Sequence, residues 1–125
     1  VHSNGVFLIS LIEKPRKGTM EQLDLVLTII YLNNEKGRKL NAKGIKEIAE
    51  SLGVLLDTQV IRDMIDAGLL NEDCTLTPMG KKVALKAVKR IEKEVKRGPL
   101  GAMKWFNFKL RAVPDNIKPD WLNPQ

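Results

Sequence analysis

The 125-residue sequence predicts a mainly α fold with a small β component. Three observations lead there. Apolar residues recur at spacings of three and four in four separate segments, the period of a helix with one buried face. Capping residues and glycines bracket those segments. Residues 6–13 and 105–113 are instead rich in β-formers or alternate in polarity, which predicts an added strand at each end.

Each element follows in order. After a loose end at 1–5, Val6–Glu13 (VFLISLIE) predicts a strand, and Lys14–Gly18 is a breaker-rich linker. Thr19 opens the first helix and Gln22 completes a Thr-x-x-Gln capping box. Leu23, Val26, Leu27, Ile30 and Tyr31 form a wide apolar face, and Leu25 and Ile29 widen it. A helix apolar on so many sides belongs at the centre of a core or in a dimer. Asn33, Asn34 and Gly37 end it, and Arg38–Leu40 is short and extended. Asn41 caps a second helix to about Leu52, with Ile45, Ile48, Ala49 and Leu52 inward and Gly53 just past its end. Asp57 caps a third, with Val60, Ile61, Met64 and Ile65 inward, ending at Gly68. Leu69–Asn71 and Cys74–Leu76 flank Glu72-Asp73 and predict a small hairpin. Thr77 caps the fourth helix, Pro78 takes its first position, and Gly98-Pro99 stops it.

The C-terminal part has a different pattern. Trp105–Val113 (WFNFKLRAV) alternates, with Phe106, Phe108, Leu110 and Ala112 on one side. The expectation is a strand paired with Val6–Glu13, within one chain or across a homodimer. Pro114, Pro119 and Pro124 predict an extended tail carrying Trp121. The chain thus divides into an N-terminal strand and linker (1–17), a helical domain (18–97) and a C-terminal strand with tail (98–125).

Charge is concentrated in one segment. Lys81 to Arg97 (KKVALKAVKRIEKEVKR) holds eight Lys or Arg against Glu92 and Glu94, a net +6 equal to that of the whole chain. Lys82, Lys86, Lys89, Lys93 and Lys96 follow i, i+4, i+7, i+11, i+14, and Ala84, Val88, Ile91 and Val95 lie on the opposite side. A buried stripe backed by a cationic ridge suits a polyanion, most commonly nucleic acid, as does a pI near 9.6. The plainer alternative is a solvated helix face.

Composition narrows the function classes. One cysteine, Cys74, allows no intrachain disulfide and fits a reducing, cytoplasmic setting. With a single histidine, His2, the usual zinc ligand set cannot be built. No phosphate-cradling glycine loop, nucleophile elbow or paired-carboxylate spacing stands out, so no enzyme and no cofactor is expected. The longest apolar run, Val6–Ile12, is far short of the roughly 20 residues of a membrane span. No basic residue precedes that run, so no signal peptide is expected.

Two short helices joined by a Gly-containing turn, then a hairpin, then a helix, resemble a winged helix-turn-helix with an added strand at each end. IKEIAESLGV resembles its first helix and turn, VIRDMIDAGLL its recognition helix, and CTLTPMGKKVA the returning wing strand and final helix. The pattern is similar to the small repressors of the multiple-antibiotic-resistance and arsenic-repressor types over residues 18–97. It implies a DNA-binding protein, a small transcriptional regulator of double-stranded DNA. The alternative is a winged-helix protein–protein module in a replication, transcription or viral assembly, contacting partners through the third helix or the C-terminal tail.

The resemblance places base-reading residues on the third helix at Thr58, Gln59 and Arg62. Asp57, Asp63 and Asp66 give that helix a net negative charge, and the wing tip is acidic. Phosphate affinity is therefore expected from Lys39, Lys43 and Lys46, and from Lys82, Lys86, Lys89 and Lys93.

Overall fold

The computed structural model describes residues 21–124. Within them the chain forms five α-helices: α1 (Gln22–Glu35), α2 (Ala42–Ser51), α3 (Thr58–Asp66), α4 (Pro78–Val95) and α5 (Gly101–Ala112). A 3₁₀ turn, Pro119–Trp121, follows.

α1 is the centre of the core. Leu23, Leu25, Val26, Leu27, Ile29 and Ile30 are all buried, so no side of its middle turns faces water. α4 makes the largest contact with it, and α2, α3 and α5 close the remaining sides. Each such side chain contributes about 1.5–3 kcal/mol on burial. α2 turns Ile45, Ile48 and Ala49 inward, α3 Ile61 and Met64, and α4 Ala84, Ala87 and Ile91.

Helix boundaries follow local chemistry. The side chains of Asn41, Asp57 and Thr77 accept hydrogen bonds from the backbone N–H groups of Gly44, Gln59 and Gly80, each at 2.9 Å. These caps satisfy N–H groups that the helix leaves unpaired. α2 ends in a Schellman closure: Gly53 N–H donates to Glu50 O and Val54 N–H to Ala49 O. That closure requires the left-handed backbone of Gly53, φ +87°.

Asp24 interrupts the apolar surface of α1. Its carboxylate is 3% exposed and accepts two 2.8 Å hydrogen bonds from Arg90 of α4, Nε to Oδ2 and Nη2 to Oδ1. This bidentate pair also fixes the rotation of α4 against α1. A second polar tie joins α1 to α5: Asn33 Nδ2 donates to Ile29 O and Ala112 O at 2.8 and 2.9 Å.

The expectation of a winged helix-turn-helix with added strands is overturned. There is no sheet among the described residues; pairing is confined to two isolated bridges, Leu40 with Leu122 and Leu70 with Leu76. The expected hairpin is one bridge long, framed by Asn71 N–H donating to Thr75 O and Thr77 N–H donating to Leu69 O. Thr77 Oγ1 donates to Gly68 O as the chain turns into α4, and Cys74 takes a left-handed φ of +67° at the turn.

The second correction is larger. Residues 105–112 of the expected strand form most of α5, and Val113 is its C-cap. The alternation of Phe106, Phe108, Leu110 and Ala112 coexists with a helical period. Gly101, Trp105, Phe108 and Ala112, spaced 4-3-4, are the buried positions of α5. Trp105 and Phe108 stack at 5.4 Å between ring centroids. The expected partner strand, 6–13, lies outside the described residues, as does Thr19. α1 opens at Gln22 with Glu21 as its N-cap, and Gln22 Oε1 accepts from Asp57 N–H, so the expected Thr-x-x-Gln capping box does not set its start.

After α5 the tail returns to α2. Asn41 N–H donates to Trp121 O at 2.8 Å, and Asn123 N–H to Lys39 O at 2.8 Å. The close approach needs Gly44, where a Cβ would strike the Trp121 carbonyl.

Arg90→Met should leave the Asp24 carboxylate buried without its partner and destabilise the protein by about 3–5 kcal/mol. Adding Asp24→Leu should recover most of that loss. Urea unfolding of both variants checks the two outcomes.

Candidate nucleic-acid interface

α4 sorts its cations into two groups. Arg90 is consumed by Asp24 in the core contact. Lys96 pairs with Glu92 at 2.5 Å and Arg97 with Glu94 at 3.2 Å, one helical turn apart. Lys82, Lys86, Lys89 and Lys93 are exposed and form no ion pair with a described residue. At 1.5 Å rise per residue these four span about 16 Å along one face. The predicted ridge is therefore present without its last member, Lys96.

The ridge adjoins a cationic cleft at the start of α4. Arg38, Lys39 and Lys81 line a cavity of about 250 Å³ together with Asn34 and Thr75. Lys39 thus joins α4's charge through the loop that follows α1. Arg38, like Lys39, leads into α2 and was a candidate cation on sequence grounds, whereas Lys81 was not among the predicted contacts. Only the packing of that loop against the start of α4 brings them together.

The remaining predicted residues are placed differently. Lys43, exposed on α2, forms a 2.6 Å ion pair with Asp120 of the returning tail. That hydrogen bond raises the Lys43 ammonium pKa and lowers that of the Asp120 carboxyl. Lys46 is exposed one turn further along α2. Thr58 is exposed at the first position of α3.

Gln59 and Arg62 are already engaged within the fold. Gln59 Nε2 donates to Asp63 Oδ1 at 2.9 Å. Arg62 lies between two carboxylates, 3.1 Å from Asp66 and 3.3 Å from Glu72. The hydrogen bond that Arg62 donates to Asp66 leads the causes that raise its pKa. The acidic turn at 71–73 thus folds onto the only cation of α3, and that surface carries net negative charge. Base contacts by Gln59 and Arg62 would require breaking these bonds first.

The spacing of Lys82, Lys86, Lys89 and Lys93 was sufficient to find the ridge. Nothing local signalled that Asp120 would reach Lys43, 77 residues away. The one hint for Asp24 and Arg90 is that each breaks its own helix's pattern, an acid in an apolar helix and a cation off the lysine stripe.

Among the described residues no cluster of His, Cys, Asp and Glu is arranged to hold a metal ion. No helix among them is long and apolar enough to cross a membrane. Comparison with protein-family models, curated proteins and solved structures found no match.

The Lys43–Asp120 pair gives the tail a pH dependence. Because the folded-state pKa of Asp120 is depressed, its contribution is complete above the ordinary carboxylate range. It is lost as pH falls through the folded value, below the model-compound value of 3.8. The Trp121 indole resonance should shift in that acid window, and Asp120→Asn should abolish that part of the titration.

Proposed function

We propose that this protein binds duplex DNA through the phosphate backbone, with the exposed lysine ridge of α4 as the principal contact. The observation that carries this proposal is the segregation of charge along α4. Three of its neighbouring cations have carboxylate partners, whereas Lys82, Lys86, Lys89 and Lys93 have none among the described residues. An unpaired row of cations on one rigid helix is suited to displacing the counterions condensed on a polyanion. The cleft formed by Arg38, Lys39 and Lys81 extends that surface at one end.

The same geometry favours binding that tolerates sequence. Lysines on phosphates position a protein without reading bases. The candidates for base reading on α3 are held by acids of the same fold. A role in transcription would then rest on occupancy and architecture, or on a partner that supplies selectivity.

Anisotropy of a labelled random-sequence duplex, titrated from about 50 to 200 mM salt, tests this function. Four phosphate contacts should give a slope of log affinity against log salt of about −3.6. Lys82→Gln with Lys86→Gln should reduce that slope to about −1.8. Arg62→Ala should change neither affinity nor sequence preference. No binding at low salt would exclude this function.

A further inference from the structure

α5 carries a second surface, away from its buried side. Met103, Phe106 and Leu110 follow i, i+3, i+7 and are 60%, 59% and 52% exposed. Large apolar side chains grouped on one face mark an interaction surface rather than ordinary scatter. Phe106 and Leu110 also line a groove of about 540 Å³ against Leu32 at the end of α1.

The border of this stripe is cationic. By helix geometry Lys109 lies on one side, and Lys104 and Arg111 on the other. α5 contains no acidic residue. Lys36 and Arg38 add charge at the groove, opposed by Glu35 and Asp115. A second copy of the same face would set these cations against their own equivalents. A helix with an apolar stripe and acidic edges would satisfy both the stripe and its borders.

We propose that the Met103–Phe106–Leu110 face of α5 is the docking site for an acidic amphipathic helix of a protein partner. The stripe supplies the apolar anchors, and Lys104, Lys109 and Arg111 select for carboxylates at the edges. This site does not include the α4 ridge, and it shares only Arg38 with the cleft beside that ridge.

The test uses the full chain and two labelled synthetic helical peptides with Leu at i, i+3 and i+7. One carries Glu on both edges and the other Lys. Binding is followed by anisotropy at about 100 mM salt, where exposed charges are partly screened. The Glu peptide should bind saturably, and the Lys peptide about tenfold more weakly or not at all. Phe106→Ser with Leu110→Ser should weaken the Glu peptide by about tenfold or more. Both side chains are exposed, so thermal unfolding should be little changed. Lys82→Gln with Lys86→Gln should leave peptide binding intact, which separates this site from the ridge.

Four results would overturn the proposal. One is absence of binding to the Glu peptide, or equal binding of both peptides. A second is loss of binding in the α4 variant but not the α5 variant. A third is a dimer in sedimentation that the α5 variant dissociates, which would make a second copy the occupant. The last is preferential binding of the wild-type chain to phosphatidylserine vesicles, lost in the α5 variant.

Discussion

The burial of α1 sets the terms for every other helix. A helix apolar on all sides has no face to offer water, so its neighbours must enclose it. Each of the other four gives α1 part of its surface. The exception inside that enclosure is Asp24, acceptable there only because Arg90 meets both of its carboxylate oxygens. With α4 pinned in that rotation, Ala84, Ala87 and Ile91 point inward and the lysines outward. The surface chemistry of α4 is therefore a consequence of how the core is closed.

Charge on this molecule is sorted by element. α3 and the turn at 71–73 hold their own acids and neutralise Arg62 locally. α4 pairs its cations at the C-terminal end and in the core contact, and the lysines in the middle of its outer face have no ion-pair partner among the described residues. Exposed ion pairs contribute little to stability, so their main effect here is on which charges remain available to a partner. The acidic surface of α3 and the turn at 71–73 also limits how a polyanion can lie on the protein, since phosphates approaching it would meet repulsion.

α5 differs from both. Its inner side closes the core with Trp105, Phe108 and Ala112, while its outer side leaves Met103, Phe106 and Leu110 in water. The core contact alone does not require these apolar residues on the outside. The tail beyond α5 runs back over the N-terminal end of α2, where Asp120 takes up Lys43. That contact removes one cation from the available surface, whereas no described acid reaches Lys82, Lys86, Lys89 or Lys93.

Much of the helical part was legible in the sequence, because the signals are local. Asn41, Asp57 and Thr77 cap the helices they were expected to cap, and Gly53 closes α2. The lysine ridge was legible for the same reason, since a helical period fixes which residues share a face. The C-terminal segment was misread because WFNFKLRAV satisfies two periods at once. The 4-3-4 spacing of Gly101, Trp105, Phe108 and Ala112 prevails because a helix can seat those residues on α1 and α4, and no strand among the described residues pairs with them. Only the tertiary structure decided the long-range encounters: Asp24 pairs with Arg90 and Lys43 with Asp120, while Arg38, Lys39 and Lys81 come to line one cavity. The sequence by itself determined where α2, α3 and α4 begin and which lysines of α4 share a face, because those depend on neighbours a turn away. Which charges stay unpaired depends on groups far along the chain that meet only when the core closes.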